Sequence, residues 1–358
     1  MLRFIVRRIY YGIFVLLGVV TLVFFLFNIL PGDPARMMLG QRADISSIEA
    51  INKELGLNAP AYVQYFRFLN DLSPISFHNT NSGSYTFNDG VKYSPFREIA
   101  KVGKTEIILK KPYLRRSYQS KRKVSEILAQ AFPNTMLLAT VSMGFAVIIS
   151  LFVGVLTALN KDSFSDRMSL FVSVLGMSLP SFFAAILMAW LFAYVLADYT
   201  GLSMFGSLYT VDDFGRGEYL DLKNIILPAI TLGIRPLAII IELTRSSMLE
   251  VLSQDFIRTA RSKGLPERKV IFRHGLRNAL NPIVTTVSGW FASLMAGAVF
   301  VEYIFDWKGI GVVIVDSLEK YDFPVVMGAV LFIAVLLVII NIFVDIIYAW
   351  LDPRIKLT

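Results

Sequence analysis

Residues Gln254 to Pro282 read QDFIRTARSKGLPERKVIFRHGLRNALNP, a basic segment set between two apolar runs. From Glu250 to Leu280, seven Lys or Arg residues (Arg258, Arg261, Lys263, Arg268, Lys269, Arg273, Arg277) oppose three acids (Glu250, Asp255, Glu267). Short loops this rich in cations are retained on the cytoplasmic side of a membrane, so the segment orients the runs on either side of it. It is also too regular to be a plain connector. Phe256, Ile257, Ala260 and Gly264 fall at helical spacing, and Lys263-Gly264 has the character of a helix C-terminus. Pro266 suits the first turn of a second helix, which would carry Val270, Ile271 and Leu276. The prediction is two short helices hinged at a glycine: a structured knob that a soluble protein can grip.

The surrounding chain is apolar. Of its 358 residues 55% are hydrophobic and 17% charged, with a mean hydropathy of +0.59, well outside the usual composition of a soluble domain. Six runs are long enough for the roughly 20 helical residues that cross a hydrocarbon core. They are Ile9–Leu30, about Phe132–Asn160, about Met168–Ala197, about Asn224–Met248, Asn278–Val301 and Phe323 to about Trp350. Arg235, Glu242 and Arg245 interrupt the fourth, and Asp345 the sixth. The 22 apolar residues of the first exceed a usual signal-peptide core, and Leu30-Pro31-Gly32-Asp33 offers no small-residue cleavage pattern, so it is read as a retained span.

Arg3, Arg7 and Arg8 hold the N-terminus in the cytoplasm, and six spans return Arg354 and Lys356 to the same side. The loop with Lys161 and Arg167 joins them there. The opposite loops, Asp198–Lys223 and Glu302–Asp322, each carry five acids and two bases. Pro74–Lys123 runs against this pattern, with eleven cations and three acids on the outer side. Because it belongs to the long loop 31–130, the charge rule for short loops does not govern it. The whole chain is also +8, so its basicity resides in this one segment, which gives no general affinity for nucleic acid. Ala43–Leu72 reads as two amphipathic helices parted by Gly56–Pro60. Ser84–Tyr93 reads as a hairpin about Asn88-Asp89-Gly90, and Thr105–Leu109 as a further short strand.

The expected architecture is therefore an all-α polytopic membrane protein with six transmembrane helices and a partly β extracytoplasmic insertion at about 74–123. Its parts are residues 1–30, with the first span; 31–130, the external loop; and 131–358, a five-helix core with the cytoplasmic loop at about 250–280.

Chemistry of the chain's own is not in view. There is no cysteine, and His78 and His274 lie on opposite sides of the predicted membrane. No catalytic set and no metal-ligand cluster stands out. Gly103-Lys104-Thr105 resembles the end of a phosphate-binding loop, but Glu98 stands where that motif needs its first glycine, leaving a surface turn as the reading. Arg235 and Glu242, seven residues apart, share nearly one face of the fourth helix. Ionisable groups at such depth face a bundle interior or a water-filled path. The local alternative pairs Glu242 with Arg245 and anchors Arg235 on a carbonyl beside Pro236. Asn341 and Asp345 point to a helix–helix contact. Ser288, Gly289, Ala292, Ser293, Ala296 and Gly297 suit either internal packing or a subunit interface. A polytopic enzyme would need a catalytic set, and a channel a selectivity loop or rings of one charge.

With these residues in view, the chain resembles the inner-membrane permease subunits of ABC importers, in the oligopeptide/dipeptide/nickel branch. The likeness rests on Arg7-Arg8, Leu30-Pro31-Gly32-Asp33-Pro34-Ala35, Leu55-Gly56-Leu57, Val63-Gln64-Tyr65, Leu227-Pro228-Ala229 and Leu243–Leu249. Its strongest block is Asp255–Leu265 with Arg273–Leu280, and Asp322-Phe323-Pro324 and Leu351-Asp352-Pro353-Arg354 complete it. The resemblance implies a type I importer fold in a bacterial inner membrane, with both termini cytoplasmic. It also implies a second homologous permease, two ATP-binding-cassette ATPases and an extracytoplasmic solute-binding protein as partners, alongside membrane lipids. ATP and Mg would be bound by the partners, with no cofactor on this chain. The basic segment then corresponds to the EAA loop that couples to the ATPases, through Asp255, Arg258, Thr259, Ala260, Lys263, Gly264 and Leu265. Arg258 and Thr259 stand where the general EAA pattern has its Glu and first Ala, a form typical of the peptide branch. The 74–123 insertion departs from the family, being longer than the usual connector. Arg235 and Glu242 also differ from the family pattern, and they are candidates for the substrate path.

Overall fold

The computed structural model describes residues 2–29, 44, 49, 52, 58–81, 84, 86–87, 92–211 and 217–351. They divide into two compact units: Met1–Arg8 with Ala131–Val312 and Leu336–Thr358, and Ile9–Gln130 with Val313–Val335.

A helix stands at each of the six predicted spans. They are α1 (Leu2–Ile29), α3 (Val124–Leu159), the pair α4 (Phe164–Ser178) and α5 (Ser181–Trp190), α6 (Ile226–Leu252), α9 (Arg277–Gly297) and α12 (Phe323–Leu351). Among the described residues four are long and apolar enough to cross a membrane, Val6–Phe27, Val124–Leu159, Leu222–Leu252 and Phe323–Ile346, and a bent pair makes a fifth candidate. That pair corrects the third prediction, a single helix over 168–197. The chain turns by 112° between α4 and the helical stretch that follows. Leu179 is extended there (φ −77°, ψ 128°) because the next residue is Pro180, which disfavours helical geometry in its predecessor. Helix α9 is regular but less apolar, since Asn278, Asn281, Thr285, Thr286, Ser288 and Ser293 interrupt it.

In the first unit α6 is the central element, packed by α4, α5 and α9. Close approach depends on small residues, the usual device where hydrocarbon offers no hydrophobic drive between helices. Ala139, Ala185 and Ala189 are fully buried. A Cβ at Gly154 would lie 2.6 Å from Thr244, and one at Gly233 2.9 Å from the Ser142 carbonyl. Leu138, Leu232, Ile240, Ile283 and Leu294 fill the core between these contacts. Asp345 makes the expected interhelical contact, receiving the Arg8 guanidinium of α1 at 2.8 and 3.0 Å.

The second unit builds from α1 to the insertion. Helix α2 (Ala61–Leu72), the second of the two amphipathic helices expected in 43–72, lays Tyr65 and Phe68 against Phe24. Tyr65 also shares a 2.6 Å hydrogen bond with Thr21. The first of those helices, around 43–56, lies outside the described residues. The insertion contains an antiparallel sheet of β1 (Ile75–Asn79), β2 (Phe96–Val102) and β3 (Thr105–Lys110), in the order β1-β3-β2. Its hairpin turns at Gly103-Lys104, with Gly103 in the left-handed region (φ 60°), so the surface-turn reading of that tripeptide holds. The hairpin expected about Asn88-Asp89-Gly90 falls on residues outside the description.

The inner face of the sheet is polar. His78 bonds Ser76 (2.8 Å) and the Thr86 carbonyl (3.0 Å), and the Lys110 ammonium donates to the carbonyls of Asp71 and Ser73. The Asp71 carboxylate receives Tyr93 (3.0 Å) and Arg115 (3.3 Å). At the far end of the insertion, buried Asp322 accepts from the Ser117 hydroxyl and the Tyr118 N–H, holding that segment to the start of α12.

Burial lowers the His78 imidazole below its usual 6.5 and lowers the Lys110 ammonium to about 8. For both groups the unfolded chain holds the proton more tightly than the folded one. Stability of the sheet therefore falls as the pH drops through about 6.5 and rises as it climbs from about 8 towards 10.5. Hydrogen-exchange protection factors of β1 and β3 in the intact chain should follow both limbs, and His78→Gln should flatten the acidic one.

Candidate functional site

The basic segment forms the two helices its sequence predicts. Helix α7 (Asp255–Ser262) ends on Lys263, and Gly264 reverses the chain at φ 72°, a backbone that a side chain strains. Pro266 then caps a short helix, α8 (Glu267–Lys269), which continues as a wider π-helical stretch, Val270–Leu276, and runs into α9. Ile257, Ala260 and Val270 are buried against one another, with Leu252 and Leu265 packed alongside. Arg261 spans the glycine turn to Glu267, at 2.6 and 3.3 Å, and fixes the angle between the helices from outside.

The seven coupling candidates separate into two roles. Asp255, Arg258, Thr259, Lys263 and Gly264 are exposed, Leu265 is half-buried, and Ala260 lies beneath α7 as part of its packing. Phe256, predicted on the apolar face, is exposed instead, as is Phe272. A groove of about 480 Å³ opens beside α8, lined by Pro266, Arg268, Lys269, Phe272 and Arg273. Phe272 thus presents an exposed apolar ring among guanidinium and ammonium groups. Phe272 is the residue the sequence reading passed over. Its signal was an aromatic between two basic residues on the outer face of the second helix.

The knob is not loosely hung. Met248 and Leu252, in the last turns of α6, pack with Ile271, Leu276, Ala279 and the Val155–Ala158 turn of α3. Gly275 lies against the same cluster, where an added Cβ would be in ordinary contact with Met248 and Leu252, at 3.4 and 3.5 Å. A push on α8 therefore reaches α6 through close-packed side chains, which transmit displacement poorly only where they have room to yield.

Along α6 the charged residues fall into different environments. Arg245 does not pair with Glu242, as the local alternative required. It forms a two-pronged ion pair with Asp166 of α4, at 2.5 and 2.7 Å, and the Asp166 side chain is 2% exposed. Asp166 also accepts from the Asp162 N–H, and the Ser163 side chain caps the start of α4. Arg235 and Glu242 are exposed and make no hydrogen bond or salt bridge among the described residues. They lie on the face of α6 opposite Ile240 and Thr244, both buried, and Pro236 stands inside the helix between them. On α9, Gly289, Ser293 and Gly297 form an exposed strip at four-residue spacing, while Ala292 packs inward.

Two comparisons of sequence bear on this geometry. A family model described as binding-protein-dependent transport system inner membrane component matches residues 150–357, and the N-terminal model of the same kind of component matches residues 1–83. The dipeptide transport system permease protein DppB of Alkalihalophilus pseudofirmus is 33% identical over 372 residues, covering 99% of this chain and 100% of that protein. The glutathione transport system permease protein GsiC of Escherichia coli is 33% identical over 357 residues, covering 99% of each. Among solved structures, an inward-facing MetNI methionine ABC transporter shares the fold, with a TM-score of 0.50 over 63% of this chain and 97% of that one, at 16% identity.

Removing the arginine of the α4–α6 ion pair leaves a buried carboxylate without its cation. Arg245→Leu should destabilise the chain by about 3 kcal/mol. Adding Asp166→Asn should recover part of that loss, because breaking a buried pair is worse than replacing it. Thermal unfolding in detergent of the two variants measures the difference.

Proposed function

The chain belongs to the binding-protein-dependent transport system inner membrane component family, and from that premise we propose how its knob and its α6 face divide the work of import. It is a multi-pass membrane permease subunit of an ABC importer, a transporter component and not an enzyme. Its substrates, on our reading, are short peptides. The relatives named for dipeptide and glutathione transport support this, being similar over nearly the whole chain.

The chain works with a second homologous permease, two ATPase subunits that bind ATP and Mg, and an extracytoplasmic solute-binding protein. Its termini and the 250–280 loop face the cytoplasm, in keeping with the short-loop charges. Functionally it divides into the first span (1–30), the external loop (31–130) and the permease core (131–358). The exposed Gly289–Ser293–Gly297 strip suits close approach of the second permease.

The knob is the coupling element. Asp255, Arg258, Thr259, Lys263, Gly264 and Leu265 meet the ATPase together with Phe272, and Ala260 holds the surface in shape from below. Closure of the ATPases on ATP displaces the knob, and the packed contact of Met248 and Leu252 with Ile271 and Ala279 passes that movement to α6. Helix α6 carries Arg235 and Glu242 along the path between outward- and inward-open states. One observation carries this reading: the knob and the charged helix are joined through buried side chains, with Met248 and Leu252 against Ile271 and Ala279.

Gly264→Val forces a β-branched residue into a left-handed backbone, at a local cost of about 1–3 kcal/mol, and tilts α7 against α8. ATP-driven uptake in proteoliposomes should fall at least tenfold while the ATPases still co-purify. Undiminished uptake would remove the hinge from the mechanism. Phe272→Ala should weaken ATPase co-purification without lowering the melting temperature of the isolated chain, since that ring is exposed.

A further inference from the structure

Charged side chains facing lipid at mid-membrane are costly, so Arg235 and Glu242 need water, a partner or a ligand on the open face of α6. Their arrangement is specific. A separation of seven residues returns to within about 20° of the same direction and advances roughly 10 Å along a helix. One charge is a planar guanidinium suited to holding a carboxylate with two hydrogen bonds, and the other is a carboxylate suited to an ammonium. Neither forms a salt bridge among the described residues: Arg245 interacts with Glu242 electrostatically, but both prongs of its guanidinium go to Asp166. Between them lies Ile239, half-buried.

Resting on the reading that this face lines the path, we infer that Arg235 and Glu242 form a transit site for the zwitterion of a free short peptide. Arg235 takes the terminal carboxylate and Glu242 the terminal ammonium. An extended chain spans at most about 3.3–3.6 Å per residue, so about three residues fill the interval between the charges. Dipeptides are reached by inward lean of the two flexible side chains. The apolar stretch at Ile239 makes no demand on the peptide's own side chains, which fits a path that passes many sequences and selects on the termini. A blocked terminus leaves Arg235 or Glu242 without its charged partner, so blocking either terminus should weaken occupancy more than changing any side chain.

The chain has no cysteine, which gives a direct test. Ile239→Cys places one thiol between the two charges and keeps both. In the assembled importer, without its binding protein, a small hydrophilic methanethiosulfonate is applied in each nucleotide state and modification is read from the mass of this chain. Trialanine and N-acetyl-trialanine amide are the competing probes. We expect labelling, with trialanine protecting at a concentration at least fivefold below the blocked peptide, and Arg235→Gln or Glu242→Gln abolishing that preference. Labelling with equal protection by both peptides, or with protection by neither, overturns the zwitterion site and leaves the path reading intact. No labelling in any nucleotide state overturns both.

Discussion

Hydrocarbon cannot solvate a charge, and the placement of ionisable groups in this chain follows from that constraint. Asp345 is met by Arg8, and Asp166 by Arg245, each through two short contacts. These pairs fasten α12 to α1 and α4 to α6, so two potentially costly groups become interhelical ties. Arg235 and Glu242 are treated differently, since the fold leaves them exposed on one face of its most buried helix. Arg235 and Glu242 therefore differ from Arg245 on the same helix, which is tied to Asp166.

Transmission follows from packing. The knob is held rigid by Ile257, Ala260 and Val270 and by the Arg261–Glu267 clasp across Gly264. Its base shares a buried cluster with the last turns of α6 and α3. Further along α6, Gly154 of α3 meets Ile241 and Thr244, and Gly233 meets the Ser142 backbone, so closely that neither glycine has room for a side chain. A helix gripped so tightly at intervals moves as a body, with Pro236 the one interruption in its hydrogen-bond ladder. Soluble motion at the knob and a shift of the charged face then become one displacement.

Much of this was legible in the sequence, for local reasons. Gly264 and Pro266 announce their turn because few other residues suit it, and the apolar runs announce helices because length and hydropathy suffice. Each misreading involved a partner distant in sequence, or a break that averages hide. Pro180 was visible, yet hydropathy summed over 168–197 passes smoothly across it, and the 112° bend there is a backbone event. Arg245 has an acid three residues before it, which the local rule favours, but its partner Asp166 lies 79 positions away. The insertion was recognised as partly β; its described hairpin turns at Gly103-Lys104 between β2 and β3, and the Asn-Asp-Gly turn lies outside the described residues. Glu302 gave no usable signal. It is fully buried, and it accepts the Gly311 N–H at 2.6 Å because Gly309 and Gly311 leave room for its carboxylate.

The central claim is that the 254–276 knob is the surface the ATPases grip. It is tested most directly by introducing Lys263→Cys, which gives this cysteine-free chain one exposed thiol beside the hinge, and oxidising the assembled importer against single cysteines around the ATPase groove. The account predicts a disulfide to the ATPase whose yield changes with nucleotide state. A thiol that stays freely reactive to aqueous reagents in the intact complex, with no ATPase cross-link in any state, would contradict it.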